Sequence, residues 1–219
     1  MKYICFDTSS RTLLLSAVSN AAEMDIRCRD IDRYGSMLAV IMRQAIENLK
    51  IDVSELEFVG VGIGPGSLTG LRVGISTAKG LAFPHGIPAV PFNSLDVLAK
   101  TVDSDRYLIL RKAREDHYYW REYKGGLPVG NTGFSNTGMI KSKIELSTME
   151  LFFDGEIDPE FEDFRCSLVK NYDPSSMREI VLDTYASGNQ VSCSDLAPIY
   201  LQKSIAEINW EKRSNEKES

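Results

Sequence analysis

Histidine is scarce in this chain. Its 219 residues include two, His85 and His117, and neither has a His, Cys or carboxylate partner at a helical or knuckle spacing that would suggest zinc. No metal-ligating residue is therefore assigned, and His85, just after Pro84, reads as a loop position. The four cysteines (Cys5, Cys28, Cys166, Cys193) lie far apart and form no C-x-x-C pair. Cys5 falls in an apolar strand pattern, so a buried free thiol is expected. No G-x-S-x-G elbow occurs, although spacing alone does not exclude a Ser-His-Asp triad, because triads assemble across a fold. No apolar run approaches the roughly 18 residues of a membrane span, and the opening MKYICFDTSS does not read as a signal peptide. A cytoplasmic protein without membrane association is expected. With 31 acidic against 25 basic residues the net charge is −6, so nothing global attracts nucleic acid. The acidic pairs Asp154/Glu156 and Glu160/Glu162 fall in a charged segment and read as solvated loop. No catalytic residue is assigned.

What the chain does have is 43% hydrophobic residues, enough for the core of one large or two small domains. The most organised stretch is Phe58–Phe83, FVGVGIGPGSLTGLRVGISTAKGLAF. Val59, Val61 and Ile63 alternate with Gly60, Gly62 and Gly64, so one face of this strand is branched and the other bare. The chain turns at Pro65-Gly66, and Ser67 or Thr69 can cap a helix that runs to about Phe83, where Pro84 and Gly86 stop it. Gly66, Gly70, Gly74 and Ala78 fall four apart on one helical face. A glycine inside a helix costs about 1 kcal/mol against alanine, so close packing on that face is expected to compensate.

A glycine-rich strand-to-helix turn also suits phosphate, because free N–H groups and the helix dipole favour anions. The candidate contacts are Gly64, Pro65 and Gly66, together with Asp7, Thr8 and Ser9 at the polar tip of an N-terminal hairpin. That tip could hold phosphate or Mg²⁺, and it is equally the normal composition of a turn. The fingerprints are incomplete: a G-x-G-x-x-G is broken by Ser67 or by Thr69, and no G-x-x-x-x-G-K-[ST] can be written. The close-packing and phosphate readings stand side by side.

In chain order, strands are expected at Tyr3–Phe6, Thr12–Val18 and Glu23–Asp30. An amphipathic helix follows over 36–49, with Met37, Leu38, Ile41, Met42, Ala45, Ile46 and Leu49 as its stripe. A short strand at Ile87–Pro91 precedes a helix capped by Asn93-Ser94. Asp103-Ser104-Asp105 is a plausible boundary. Beyond it, Tyr107–Leu110 and Tyr118–Tyr123 pair as a hairpin in which Arg111, Lys112, Arg114, His117 and Arg121 interleave with aromatics. That pattern could stack or clamp RNA; an ordinary hairpin with aromatics inward has the same look. Gly125–Gly138 reads as turns, Leu151–Asp154 as a strand, and Asp173-Pro174 as the start of a helix ending at Ser187-Gly188-Asn189. The charged end, 211–219, is expected to fray.

The segment GIGPGSLTGLRVGISTAKGLA, with the opening ICFDTSS, strongly resembles the TsaB (YeaZ) family. Gly86-Ile87-Pro88 to Ser94-Leu95 and Pro198-Ile199-Tyr200-Leu201 resemble further family segments. The resemblance implies an α/β fold of the actin/Hsp70/sugar-kinase (ASKHA) type, with two related domains and the second reduced. The domains would be 1–102 and 103–205, followed by a charged tail at 206–219. It implies a non-catalytic subunit in synthesis of threonylcarbamoyladenosine at position 37 of tRNA. Such a subunit would dimerise with and activate the catalytic paralogue TsaD and help recruit the ATPase TsaE. It would need no cofactor by itself, with ATP or ADP at a composite site, and would meet tRNA through the complex. Alone it would be a homodimer. The implied interface is Met37, Leu38, Ile41, Met42 and Ala45 on one helix, and Gly70, Leu71, Val73, Gly74, Thr77, Ala78 and Leu81 on the other. The chain also departs from the family. The paralogue's H-x-x-x-H is absent, Tyr34 stands where many members keep a histidine, and a segment resembling L-D-A-R reads Arg111-Lys112-Ala113-Arg114. Two alternatives compete: a small ATP-dependent phosphotransferase using Asp7, Thr8 and the Gly64–Gly66 turn, and a stand-alone M22-like metalloprotease.

Overall fold

The computed structural model describes residues 1–31, 34–145, 149–169 and 173–201. The side chain of Tyr34 and the tail at 206–219 lie outside what is described. Among the described residues, ten strands form two five-stranded sheets. The first holds β1 (Tyr3–Asp7), β2 (Leu13–Val18), β3 (Glu23–Cys28), β4 (Phe58–Gly62) and β5 (Ala89–Phe92), in the order β3-β2-β1-β4-β5. The second holds β6 (Arg106–Arg114), β7 (His117–Lys124), β8 (Leu127–Asn136), β9 (Glu150–Asp154) and β10 (Cys166–Leu168), in the order β10-β9-β6-β7-β8. Renumbered from its own first strand, the second sheet has the topology of the first. In each, an antiparallel meander of three strands is extended by two parallel strands beside the first. Helix α1 (Tyr34–Leu49) joins β3 to β4, as α4 (Thr137–Glu145) joins β8 to β9. Helix α2 (Leu68–Ala82) joins β4 to β5, but in the second half a 3-10 turn, Pro159–Phe161, stands in its place. α3 (Ser94–Ala99) follows β5 and α5 (Pro174–Ala186) follows β10. The fold is thus an ASKHA-like repeat whose second copy has a turn where the first has a helix.

The alternation in β4 decides how the first sheet is covered. Val59 and Val61 are fully buried in the cluster that α1 and α2 lay against one face, with Ile4, Phe6, Leu13 and Leu15. Gly60 faces the other way. A Cβ there would lie 2.8 Å from Val181 and 2.6 Å from the Cys5 Cβ, so the bare face admits α5 rather than a ligand. Met177 and Val181 of α5 pack on Tyr3, Cys5 and Phe58. Burial, the largest cause, pushes the Cys5 thiol well up, which agrees with the expected buried, unoxidised cysteine. Residues 174–196, which the sequence places in the second domain, therefore return to the first sheet. Val191 pairs with Ala89, while Cys193 and Leu196 join the core around α1 and α2.

The stretch 125–138 differs from expectation. Its composition suggests turns, yet it is mostly the edge strand β8, followed directly by α4. Its register comes from pairing with β7, Tyr119 opposite Phe134 and Tyr123 opposite Pro128, and its side chains are exposed in the first half and half-buried in the second. No period-two alternation announces such a strand. α4 leaves little trace in the sequence because its buried apolar signal is not much more than Ile140 and Ile144.

The Gly60–Val181 contact yields a paired test. Gly60→Ala is expected to cost about 1–3 kcal/mol by overpacking and Val181→Ala about 2 kcal/mol by leaving a cavity. In urea unfolding the double variant should lose less than the two single losses together, because each change relieves the other.

Candidate functional site

Between the two sheets lies a cleft of about 900 Å³. The first half contributes Ser9–Thr12 from the β1–β2 loop, Arg27, Arg29 and Asp30 from the end of β3, and Gly66–Leu68 from the glycine turn. The second half contributes Arg111–Ala113 and Tyr119 from β6 and β7, and Asp154–Glu156 beyond β9. Five cationic side chains (Arg11, Arg27, Arg29, Arg111, Lys112) and three acidic ones line it, in a chain whose net charge is −6.

The six residues read as phosphate contacts do come together, but largely on each other. The Asp7 carboxylate accepts from the Ser9 N–H at 2.7 Å. The Thr8 hydroxyl donates to the Gly70 carbonyl at 2.7 Å, and the Ser67 N–H donates to the Ser9 carbonyl at 2.7 Å. The Gly64 N–H donates to the Ser94 hydroxyl at 3.2 Å, and the Gly70 N–H to its N-cap, Ser67 Oγ, at 3.3 Å. The amides that a phosphate would need at Gly64, Ser67 and Gly70 are thus engaged within the chain. Asp7, Thr8 and Ser9 are buried, and of the six only Ser9 and Gly66 line the cleft.

The small-residue face of α2 has the same explanation. A Cβ on Gly66 would lie 2.1 Å from the Ser9 carbonyl oxygen, one on Gly70 2.0 Å from the Thr8 carbonyl oxygen, and one on Gly74 2.4 Å from Thr8 Oγ1. The face packs on the β1–β2 loop of its own chain. Of the residues expected at a dimer interface, Gly70, Leu71, Gly74 and Ala78 on α2 and Leu38, Ile41, Met42 and Ala45 on α1 are buried within the chain itself. Met37 is exposed, and Val73, Thr77 and Leu81, spaced four apart, remain half-buried.

Among the described residues, contacts at two places join the halves. In the first, α3 meets β6, β7 and β8. Arg121 donates to both oxygens of Asp96 at 2.9 and 3.0 Å, the Tyr123 hydroxyl donates to Asp96 at 2.7 Å, and Asn93 donates to Thr132 at 2.7 Å. Burial, the largest cause, holds the Asp96 carboxyl above the usual range against these two partners. In the second, Arg111 donates from Nη1 to Ser9 Oγ at 2.7 Å and to the Pro65 carbonyl at 2.8 Å, and from Nε to Asp154 at 2.6 Å. Sequence reasoning gives neither Arg111 nor Asp154 this role. The available signal is a cation directly after the apolar run Tyr107–Leu110. The hairpin aromatics turn inward, with Tyr118, Tyr119 and Tyr123 buried, while His117 stacks on Phe134 at 5.1 Å. No group of three or more potential metal ligands occurs among the described residues.

The repeated topology and the cleft between its copies define an ASKHA-like α/β protein. Residues 32–134 match the family model for TsaD, tRNA N6-adenosine threonylcarbamoyltransferase. A tRNA threonylcarbamoyladenosine biosynthesis protein TsaB from Buchnera aphidicola is 29% identical over 110 residues, 48% of this chain and 52% of that protein. TsaB of Haemophilus influenzae is 25% identical over 97 residues, 44% of this chain and 41% of that protein. An uncharacterized protein of Mycobacterium tuberculosis is 34% identical over 98 residues, 45% of this chain and 46% of that protein. The chain thus spans about half the length of these curated relatives. YeaZ from Pseudomonas aeruginosa superposes with a TM-score of 0.77 at 19% identity, covering 91% of this chain and 99% of that one, a likeness of fold. The chain thus resembles TsaB/YeaZ proteins in sequence over about half its length and in fold over most of it.

At the cleft rim, Asp158 accepts from the Tyr118 hydroxyl at 2.5 Å and from Lys112 at 3.1 Å. The Tyr118 bond is the largest cause holding the Asp158 carboxyl down at about 2, followed by the Glu160 amide and Lys112. A carboxyl lowered in the folded state stabilises it above the usual carboxylate range, and the contribution is lost as pH falls through the folded value. Urea unfolding between pH 4 and pH 2 should therefore show a stability decline that is shallower in Tyr118→Phe.

Proposed function

We propose that this chain acts in the biosynthesis of threonylcarbamoyladenosine in tRNA as a partner subunit, not as the transferase. It would dimerise with and activate a TsaD-like catalytic paralogue and help recruit a TsaE-like ATPase, meeting tRNA through that complex. The functions that its relatives' names carry supply the pathway. One observation carries the partner-subunit role: the glycine turn and the Asp7–Ser9 loop satisfy each other, which leaves the turn poorly suited to act as a phosphate loop by itself. ATP or ADP would enter the cationic cleft as part of a composite site completed by the partners.

The docking surface is the outer side of α1 and α2. Met37 and Val40 are 42% and 43% exposed on one face of α1, and the Val73, Thr77 and Leu81 stripe of α2 is within reach of solvent. An apolar helical surface of this kind favours a mate. The same surface would hold a homodimer when the paralogue is absent, so the two assemblies compete.

Sedimentation of the pure protein, alone and with the TsaD-like subunit, tests this. A homodimer that exchanges into a 1:1 heterodimer is expected. Met37→Asp and Val40→Asp should each weaken both assemblies at least about tenfold, the scale set by truncating one well-packed side chain at the centre of an interface, with the circular dichroism unchanged. A wild-type monomer that ignores the paralogue would refute the proposal.

A further inference from the structure

The Arg111 side chain is 7% exposed and its partner Asp154 10%. Burying such a pair carries a desolvation cost that only good geometry and further hydrogen bonds offset. Here hydrogen bonds to three acceptors do so, and those acceptors come from three separate places: Asp154 on β9, the Ser9 hydroxyl in the β1–β2 loop, and the Pro65 carbonyl in the glycine turn. Ser9 is itself bound to the turn, since its carbonyl accepts from Ser67. One guanidinium, anchored on the second sheet, thus gathers two loops of the first sheet that face the cleft. The planar fork of arginine suits this task, because its donors diverge in fixed directions.

The α3 contacts through Asp96 and Asn93 form a separate tie between the halves. Two bodies joined at one place can pivot about it, whereas a second, separate tie removes that freedom. We infer that Arg111 is an internal strap: it sets the aperture of the cleft and holds the glycine turn against the hairpin loop without a ligand. The two halves then behave as one rigid body in the free chain. This goes beyond the partner-subunit role and does not depend on it, because a rigid cleft would follow from these bonds whatever the chain assembles with.

Amide hydrogen exchange on the full chain tests the strap, using Ser9→Ala, Asp154→Asn and Arg111→Lys. Ser9→Ala keeps the Cβ and removes one acceptor. Asp154→Asn alters the anchor on the second sheet. A hydrogen bond to a charged group is strong enough that its loss should speed local opening about tenfold. Exchange at the Ser9, Ser67 and Gly70 amides is expected to rise by about that factor in Ser9→Ala and Asp154→Asn, and further in Arg111→Lys, while the amides of β6 keep their protection. The Asp154→Asn result is the most telling, since Asp154 holds the guanidinium that reaches both loops of the first sheet. Mg-ATP should add no protection at these amides in the unaltered chain. An equal rise at all amides, or none in Asp154→Asn, would overturn the strap, as would Mg-ATP protection of the unaltered loops, which would make closure ligand-driven.

Discussion

The structure depends on one close approach, that of α2 to the loop after β1. At Gly66 and Gly70 there is no room for a Cβ, because the carbonyl oxygens of Ser9 and Thr8 occupy that space. The approach lets Thr8 reach the Gly70 carbonyl and lets Ser67 reach the Ser9 carbonyl. Backbone polar groups in a buried turn must find partners somewhere, and here they find them in each other. That single constraint accounts for the glycine spacing in α2, the burial of Asp7, Thr8 and Ser9, and the engagement of a turn that looks made for phosphate.

The two-fold repeat of topology gives a wider frame for the same fact. Each half runs three antiparallel strands, a helix and a parallel strand, but only the first half then builds a helix from a glycine turn. The second half passes from β9 to β10 through the 3-10 turn at Pro159–Phe161, whose Phe161 fills the core beneath Tyr118 and Phe153. One side of the cleft thus offers an occupied turn and the other offers no comparable helix. Between them run the arginines, with Arg111 drawn inward to hold the halves and Lys112 turned outward to Asp158. The walls of this cleft are thus bonded to one another by the chain's own residues.

Much of the first half is legible before folding. The Val/Gly alternation of β4, the Ser67 cap, the stop at Pro84-Gly86 and the α1 stripe are local signals with local causes, and they appear where expected. The α5 start at Asp173-Pro174 is equally local. The second half is harder. β8 has no fully buried side chain, and α4 carries little more than two buried isoleucines, so neither leaves a periodic trace. For the site, residue types and spacing are enough to gather Asp7, Thr8, Ser9 and the glycine turn. They are not enough to show that Thr8 and Ser9 become the turn's own ligands.

By itself the sequence determined the elements of the first half and the need for a close contact along Gly66, Gly70 and Gly74, because glycine spacing and capping act over a few residues. Only the tertiary structure decided what made that contact. It turned the small-residue face inward onto Thr8 and Ser9, brought α5 back over Gly60, and set Arg111 among Asp154, Ser9 and Pro65. Each of these joins residues tens of positions or more apart. Whether an exposed-looking face meets solvent, a partner or its own chain depends on which distant segment reaches it first, and that is settled by packing of the whole chain.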